Sequence, residues 1–349
     1  MGQSERILIL YNEPVLPESH PDYISEVEVL DNVDAVQKVL SEHGYQVERL
    51  GATSDPQVLI DGIRKFSPDA VVNLFEGSAD DNASEMYACG LLEWLHIPYT
   101  GCPFHTLVLA RSKHIAKRML LAEGLPTAPF MVVESGPVAA CPLKFPVIVK
   151  PAQQDASVGV DQDSVATDLD GLNKRVAFLL KQFGGPVLVE EFIFGREVTV
   201  ALVEMPDLRL LPATEAVFPE PTPGYWPILS YDAKWTEGSA EYETTDYHFH
   251  AQMTPELAAV IEGTARKAFR LLGCRDYARV DFRIRSGDNQ PFVLELNPNS
   301  DFAPDRALAN NLWAAGLSHS EFTLQLVRNA LARGAAKRPE RYTDRREAS

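Results

Sequence analysis

The chain of 349 residues is long enough for two or three domains, and its 45% hydrophobic and 23% charged residues are the balance of a globular protein. The formal net charge of −17 argues against nucleic acid or an anionic membrane as the main partner, although a nucleotide needs only a few local cations. No apolar run approaches the roughly 18 residues of a membrane span, no signal peptide is expected, and four scattered cysteines fit a reducing compartment. We therefore expect a cytoplasmic protein without nucleic acid or membrane partners.

The first hundred residues alternate short apolar strands with amphipathic helices. We predict strands at 7–11, 45–50 and 70–75, and helices at 25–43, 56–66 and 85–95. This order indicates a parallel sheet covered by helices, whose ligands usually lie beyond the carboxyl ends of the strands. Glu26, Glu76 and Glu85 are therefore candidate amine-binding carboxylates, although each has a plain alternative as a charge in a loop or at a helix start.

The middle of the chain contains a pattern that suits phosphate. A helix at 112–123 is followed by an apolar strand at 145–151, which delivers Lys150 into a polar loop at 153–159. A lysine gives a point charge and the loop amides can line up around an anion, although many buried strands also end at a lysine that reaches solvent. Further on, Glu197 follows a tight turn after a strand at 187–193, where it could accept ribose hydroxyls.

The second half is less regular. Residues 212–247 are predicted as a long, proline-rich irregular region, and such loops are usually functional or disordered. Lys234 lies among aromatic residues within it, which favours a functional loop. Helices are predicted at 169–183, 255–272 and 321–333, with a frayed tail at 334–349.

A hairpin at 277–299 combines two carboxylates and an amide. With a connection at 286–290, Asp281 faces Glu295 and Arg279 faces Asn297, so that all four side chains share one face of the sheet. Opposed carboxylates destabilise a hairpin unless a positive charge lies between them, and these oxygens suit Mg2+. The alternative is a solvent-facing sheet surface with spare charge, and the pattern alone favours neither.

Taken together, these motifs resemble those of ATP-grasp ligases, and specifically the D-alanine–D-alanine ligase family. The similarity runs over nearly the whole chain and keeps the family order. The matching segments are IPYTG at 97–101, Lys113, PVIVKP at 146–151, SVG at 157–159, VEEFI at 189–193, Glu197, YDAK at 231–234, RVD at 279–281 and ELN at 295–297.

The resemblance implies an α/β (α+β) architecture of the ATP-grasp fold. We expect an N-terminal parallel α/β domain at 1–105, a central subdomain with the phosphate loop at 106–205 and a C-terminal metal-binding subdomain at 206–333. The two subdomains would clasp ATP. The resemblance also suggests a homodimer.

Each matching residue acquires an implied role. Those expected to bind the phosphates, adenine or ribose of ATP are Lys113, Lys150, Ser157, Val158, Gly159, Glu190, Glu191, Ile193, Glu197 and Lys234. Those expected to hold two Mg2+ ions, with Mn2+ as an alternative, are Asp281, Glu295 and Asn297. Those expected to act in catalysis are Glu26, which would meet the ammonium of the first substrate, Ser157, Lys234 and Arg279.

The end of the chain that should bind the second substrate departs from the family. A run NPNSDFAPDR at 297–306 replaces the usual motif, and Arg306 falls near the position of a carboxylate-binding serine. Trp235 replaces a tyrosine that meets substrate, Asp155 lies in the phosphate loop where glycine is usual, and Glu85 matches a second substrate carboxylate only with a one-residue slip.

We therefore expect an ATP-dependent carboxylate–amine ligase that works through an acyl phosphate on small-molecule substrates, amino acids first among them. Three hypotheses stay open. The enzyme joins two D-alanines, or it joins another carboxylate and amine in a small-molecule pathway, or the chain is a non-catalytic ATP-binding regulator.

Overall fold

The computed structural model describes residues 4–16, 27–77, 83–219 and 224–336. The chain divides into two compact units. Unit 1 consists of Met1–Phe104, Glu204–Leu208 and Asp301–Ser349, and unit 2 consists of His105–Val203 and Arg209–Ser300. Of the predicted tail, residues 334–336 belong to the last helix and residues 337–349 lie outside the described part of the chain. The division into three domains stays a prediction.

Unit 1 contains the predicted parallel sheet. Its strands are β1 (Arg6–Asn12), β2 (Gln46–Ala52) and β3 (Ala70–Leu74), in the order β2-β1-β3, and both pairings are parallel as predicted. All five residues of β3 are buried, and all but Asn73 are apolar, as expected of a strand that is covered on both faces. The helices are α1 (Val29–Glu42), α2 (Pro56–Phe66) and α3 (Ser84–Trp94).

The bounds of α2 follow from local chemistry. The Asp55 side chain accepts a hydrogen bond from the backbone N–H of Gln57, and Pro56 lacks the N–H that would be unpaired at this position. Ser67 ends the helix in the left-handed region. Unit 1 also contains the last two helices, Ala307–Ala314 and His319–Ala336, of which only the second was predicted.

Unit 2 begins with α4 (Phe104–Arg111), α5 (Lys113–Ala122) and a four-stranded antiparallel sheet. The strands are β4 (Phe130–Val133), β5 (Val147–Pro151), β6 (Val165–Ala166) and β7 (Val187–Glu191), in the order β4-β7-β5-β6. Helix α6 (Leu169–Phe183) covers this sheet, and its buried residues Leu172, Val176 and Leu179 form a core with Val147 and Val187.

The second sheet of unit 2 carries the hairpin. It contains β8 (Gly195–Glu204), β9 (Leu208–Leu210), β10 (Thr214–Val217), β11 (Asp246–Phe249), β12 (Tyr277–Arg285) and β13 (Pro291–Pro298). Its order is β11-β10-β8-β12-β13, and β9 pairs with β8. Two short helices, α7 (Tyr231–Trp235) and α8 (Ala240–Thr244), precede β11, and α9 (Pro255–Leu271) begins at the predicted cap Thr254.

The structure corrects four of the sequence-based expectations. Residues 212–247 are not one irregular region, because β10, α7, α8 and the start of β11 lie there. Helix α4 and the helix Ala307–Ala314 were not predicted. Glu197 follows the connection after β7, as predicted, but it is already inside a strand, because β8 begins at Gly195. The predicted pairs Asp281–Glu295 and Arg279–Asn297 are confirmed, but a bulge after Asp281 shifts the remaining register by one residue.

Candidate active site

A pocket in unit 2 collects most of the predicted nucleotide residues. Of the residues predicted to bind ATP or metal, those that line it are Lys113, Lys150, Ser157, Val158, Glu190, Glu191, Ile193, Glu197, Lys234, Asp281 and Glu295. They come from both sheets, from α5, from α7 and from the loop after β5. Chemistry that the sequence distributes over 183 positions, from residue 113 to residue 295, therefore converges on one cavity.

One end of the pocket contains a buried charge network. The Glu190 carboxylate lies 2.5 Å from Nζ of Lys117 and 2.7 Å from Nζ of Lys150. Burial raises the pKa of Glu190, but the two ammonium groups outweigh this effect and hold it below its ordinary value. Sequence reasoning missed Lys117, although it follows Lys113 by four residues and therefore shares its helix face.

Lys113 meets the phosphate loop. Its Nζ donates to the carbonyl oxygen of Gln154 and to the Asp155 carboxylate, both at 2.6 Å, and it lies 3.4 Å from Oε2 of Glu295. Burial lowers the pKa of Lys113, but Glu295 and Asp155 together raise it to about 12. Asp155, which departs from the family pattern, is thus ion-paired with a lysine that the resemblance assigns to the phosphates of ATP.

The loop itself is held by contacts within unit 2. The Ser157 hydroxyl donates to the carbonyl oxygen of Leu229 at 2.8 Å, and Nε1 of Trp235 donates to the carbonyl oxygen of Ala156 at 2.9 Å. Ala156, Ser157 and Gly159 all adopt positive φ. The N–H groups of Val158 and Val160 donate within the loop to the carbonyl oxygens of Asp155 and Ser157, so the backbone here forms consecutive turns, and turns of this kind can present their remaining amides to an anion. Trp235 therefore contacts the phosphate loop and helps to hold it in place.

The hairpin brings the predicted metal ligands together. Asp281 accepts hydrogen bonds from the Thr199 hydroxyl at 2.9 Å, from Nε of Arg279 at 3.0 Å and from Nδ2 of Asn297 at 2.8 Å. Burial raises the pKa of Glu295, but the cations around it, led by Lys113, hold it well below the usual range.

This donor set fits Mg2+. The described residues contain no group of three or more His, Cys, Asp or Glu side chains that could hold a metal ion without other donors. Mg2+ is commonly held by one or two carboxylates, with water and substrate phosphate in its remaining positions. Two carboxylates that face each other, with an amide beside them, meet that requirement.

Lys234 lies on α7, which begins where the Ser230 hydroxyl accepts from the N–H of Ala233. Within the described part of the chain, no carboxylate lies within 4.0 Å of its Nζ. Burial, together with the nearby Arg279 guanidinium, lowers the pKa of Lys234. An ammonium group that is partly desolvated and without a close partner suits an anionic ligand.

The remaining substrate candidates lie in unit 1. Arg306 forms ion pairs with Glu28, and with Asp301 at 3.3 Å, so two carboxylates already contact its guanidinium. Burial, with Asp301 and Glu85 nearby, raises the pKa of Glu76 to about 8. Glu26 lies outside the described residues.

Three comparisons with known proteins relate the chain to one family. The family described as "D-ala D-ala ligase C-terminus" matches residues 119–328. A D-alanine–D-alanine ligase from Erythrobacter litoralis is 30% identical over 313 residues, which is 87% of this chain and 89% of that protein. One from Ralstonia pickettii is 31% identical over 245 residues, covering 69% and 70%. A D-alanine–D-alanine ligase from Bacillus anthracis, solved with ATP, has a TM-score of 0.75 at 20% identity, covering 96% of this chain and 100% of that one.

The fold is that of the ATP-grasp ligases, and the family match together with the curated relatives makes the chain an ATP-dependent ligase that forms C–N bonds. The chain belongs to the D-alanine–D-alanine ligase family, as the resemblance implied. None of the helices in the described ranges is long and apolar enough to cross a membrane.

Proposed function

We propose that this enzyme joins the carboxylate of one amino acid to the amine of another, through an acyl phosphate, in the pocket of unit 2. The observation that carries the proposal is the pairing of Asp281 with Glu295 across the hairpin, with Lys113 and Arg279 against these carboxylates. This arrangement favours an enzyme over a non-catalytic regulator, because a protein that only bound Mg2+ and ATP would not need an arginine beside the metal carboxylates.

The nucleotide has a consistent place in this proposal. The amides of the loop at 155–159, apart from the Val158 amide that donates within the loop, would hold phosphates together with Lys113 and Lys150, and Glu197 would accept the ribose hydroxyls. Backbone groups of Glu191 and Ile193 would meet the adenine. In the described part of the chain, the N–H of Ile193 has no backbone or side-chain acceptor, which supports a donor role toward the base.

The chemistry is a balanced transfer. An oxygen of the substrate carboxylate attacks the γ-phosphorus and ADP leaves; an amine then attacks the acyl carbon, loses a proton and expels phosphate. Bound Mg2+, with Mn2+ as the alternative, would neutralise phosphate oxygens. Lys234 would bind the γ-phosphoryl group, and Arg279 would stabilise the charge that develops on the acyl oxygens.

The phosphate loop would also protect the intermediate. An acyl phosphate is lost to hydrolysis if water reaches it before the amine does, so the loop must cover it. The Ser157 hydroxyl and the Trp235 indole N–H both donate to backbone carbonyl oxygens and so hold the loop, which supports a loop that is already shaped before substrate arrives.

The second substrate need not be D-alanine, and Arg306 is the reason. Its guanidinium is ion-paired with Glu28 and Asp301 of its own unit, so it is a weaker ligand for the carboxylate of an acceptor amino acid than a free arginine would be. This favours the candidate in which the enzyme joins a carboxylate and an amine other than two D-alanines. Glu26 and Glu85 stay the proposed ligands of substrate ammonium groups.

The test is phosphate release from ATP and Mg2+, screened across D- and L-amino acids, singly and in pairs. Turnover with D-alanine alone would mean that the Arg306 segment supports the usual acceptor. Turnover with another pair would establish a different acceptor, and ATP binding without turnover across the panel and across wider sets of acids and amines would refute the catalytic proposal. We also propose a homodimer in the cytoplasm, which sedimentation of the purified protein and fractionation of cells would check.

A further inference from the structure

Arg283 is a buried guanidinium in the nucleotide pocket, and no sequence motif pointed to it. It lies on β12 two residues beyond Asp281, and therefore on the same face of the sheet. Only 3% of its surface is exposed. A buried arginine is rare unless its charge and its N–H groups all have partners, so its contacts identify what it does.

Those contacts come from β8, from the connection just before it and from the segment that precedes α7. Nη1 donates to Oε2 of Glu197 at 2.8 Å, Nε donates to the carbonyl oxygen of Ile193 at 3.0 Å, and Nη2 donates to the carbonyl oxygen of Pro227. The guanidinium also lies 5.4 Å from the ring centroid of Phe192, within the range of a cation–π interaction. A planar group held at three nitrogens cannot rotate or shift without losing a partner.

The pairing with Glu197 is set by the sheet. Strands β8 and β12 are antiparallel, and their register places Arg283 directly opposite Glu197. Arg283 uses only Oε2 of the carboxylate, so Oε1 is left for a ligand, and both side chains line the pocket. Burial raises the pKa of Glu197, and the Arg283 guanidinium opposes that rise.

We propose that Arg283 is a positioning residue for the nucleotide, which aims the free oxygen of Glu197 at the ribose hydroxyls and fixes the Ile193 segment beside the base. The inference rests on the proposed binding of ATP in this pocket. It predicts that discrimination between ribose and deoxyribose depends on Arg283, although Arg283 itself need not touch the sugar.

A purely structural role predicts something else. If Arg283 only cross-linked three segments, its loss would weaken the binding of every nucleotide by the same factor. If it acts through Glu197, its loss weakens ATP more than 2′-deoxyATP or 3′-deoxyATP, because only ATP offers both hydroxyl groups. The ratio of the affinities therefore separates the two roles.

The experiment measures binding of ATP, 2′-deoxyATP and 3′-deoxyATP by calorimetry, so that no second substrate is needed. We expect the wild type to prefer ATP over at least one deoxy analogue by about tenfold to hundredfold, the effect of one hydrogen bond to a charged group. Arg283→Met should reduce that preference to within about threefold. Adding Glu197→Gln to Arg283→Met should then change the preference no further.

Arg285→Met is the matched control. Arg285 lies on the same strand and pairs with Asp288, but both side chains are largely exposed and neither lines the pocket. This variant should keep the wild-type preference. Arg283→Lys serves if Arg283→Met does not fold, since it keeps the charge but cannot contact three acceptors as a planar fork. It should lose most of the preference.

The outcomes are distinguishable. A wild type that does not bind ATP would overturn the proposed function and this inference with it. A wild type that binds ATP without preferring it over either deoxy analogue would overturn this inference alone. The positioning role is likewise overturned if Arg283→Met, or Arg283→Lys in its place, keeps the wild-type preference while weakening all nucleotides equally.

Discussion

Removing the Glu190 carboxylate should destabilise unit 2 because it leaves a buried lysine without its ion-pair partner. Lys117 is 1% exposed, and Glu190, at 2.5 Å, is its partner carboxylate. In Glu190→Gln, Lys150 is only partly buried and can turn its ammonium toward the pocket, whereas Lys117 has no such route. Lys117 keeps only neutral acceptors, which are the new amide oxygen, the Thr127 hydroxyl at 2.5 Å and the carbonyl oxygen of Val293 at 3.4 Å.

The protonation equilibrium of lysine sets an upper limit on the cost. A buried ammonium without a partner can lose its proton, and at pH 7 this costs about 4 to 5 kcal/mol relative to an ordinary lysine. These neutral acceptors offset part of that cost. We therefore expect Glu190→Gln to lower the free energy of unfolding by about 3 kcal/mol at pH 7, the low end of what breaking a buried ion pair costs.

The pH dependence of the stability loss shows whether Lys117 is its cause. Burial already lowers the pKa of Lys117, and the Glu190 carboxylate opposes this effect. Because Glu190→Gln removes that carboxylate, the pKa of Lys117 in the variant should be lower still. Between the folded-state pKa and the ordinary value, the unfolded chain binds a proton that the folded chain does not, so the stability of the variant rises with pH. By pH 9 the upper limit falls to about 2 kcal/mol, and the deficit relative to wild type should shrink accordingly.

Urea unfolding at pH 7, 8 and 9 measures this directly. Glu191→Gln is the control, because Glu191 is adjacent on β7 but partly exposed and accepts only from the N–H of Lys144. It should change stability by less than about 1 kcal/mol at every pH. The reasoning is wrong if Glu190→Gln costs less than about 1 kcal/mol at pH 7, or if its deficit does not depend on pH.

Three further predictions concern the phosphate loop, the hairpin and the start of β8. Asp155→Asn should tighten ATP binding about two- to fivefold, because a half-exposed carboxylate no longer competes with phosphate for its lysine; calorimetry measures it. Asp281→Asn and Glu295→Gln should each abolish turnover of ATP while the thermal unfolding curve keeps its cooperative shape. Gly195→Ala should cost about 3 kcal/mol or more in urea unfolding, because the added Cβ would lie 1.9 Å from the backbone oxygen of Ile284 and φ is +148°.

Each of these has a control and a contrary result. Asp163→Asn, in the short helical turn beyond the phosphate loop, should leave ATP affinity unchanged, and equal affinities for Asp155→Asn and wild type would contradict a competing carboxylate. Near-normal turnover in either hairpin variant would remove the metal assignment. Gly263→Ala, where an added Cβ meets no atom within 4 Å in the interior of α9, should raise stability by about 0.5 to 1 kcal/mol. A Gly195→Ala variant as stable as wild type would mean that β8 and β12 can separate at that point.

Sequence alone determined the features that depend on neighbours along the chain. Helix α2 was predicted with its observed bounds, because Asp55 caps it and Pro56 suits its first position. The facing of Asp281 with Glu295 also followed from the sequence, since it needs only the two-residue strand period and a short turn. The bulge after Asp281 did not, because an extra residue in one strand leaves no mark in the alternation.

The tertiary structure decided which charges are buried together. The sequence shows Lys117, Glu190 and Arg283 as three charges in three different elements, and nothing local distinguishes them from solvated ones. Only the packing of α5 and the two sheets of unit 2 places Glu190 at 2.5 Å from Lys117 and Glu197 at 2.8 Å from Arg283. Glu190 and Glu197 belong to different strands. Each pair joins residues that are far apart in the chain, by 73 positions for Lys117 with Glu190 and by 86 positions for Arg283 with Glu197. Such contacts form only when the whole unit has folded.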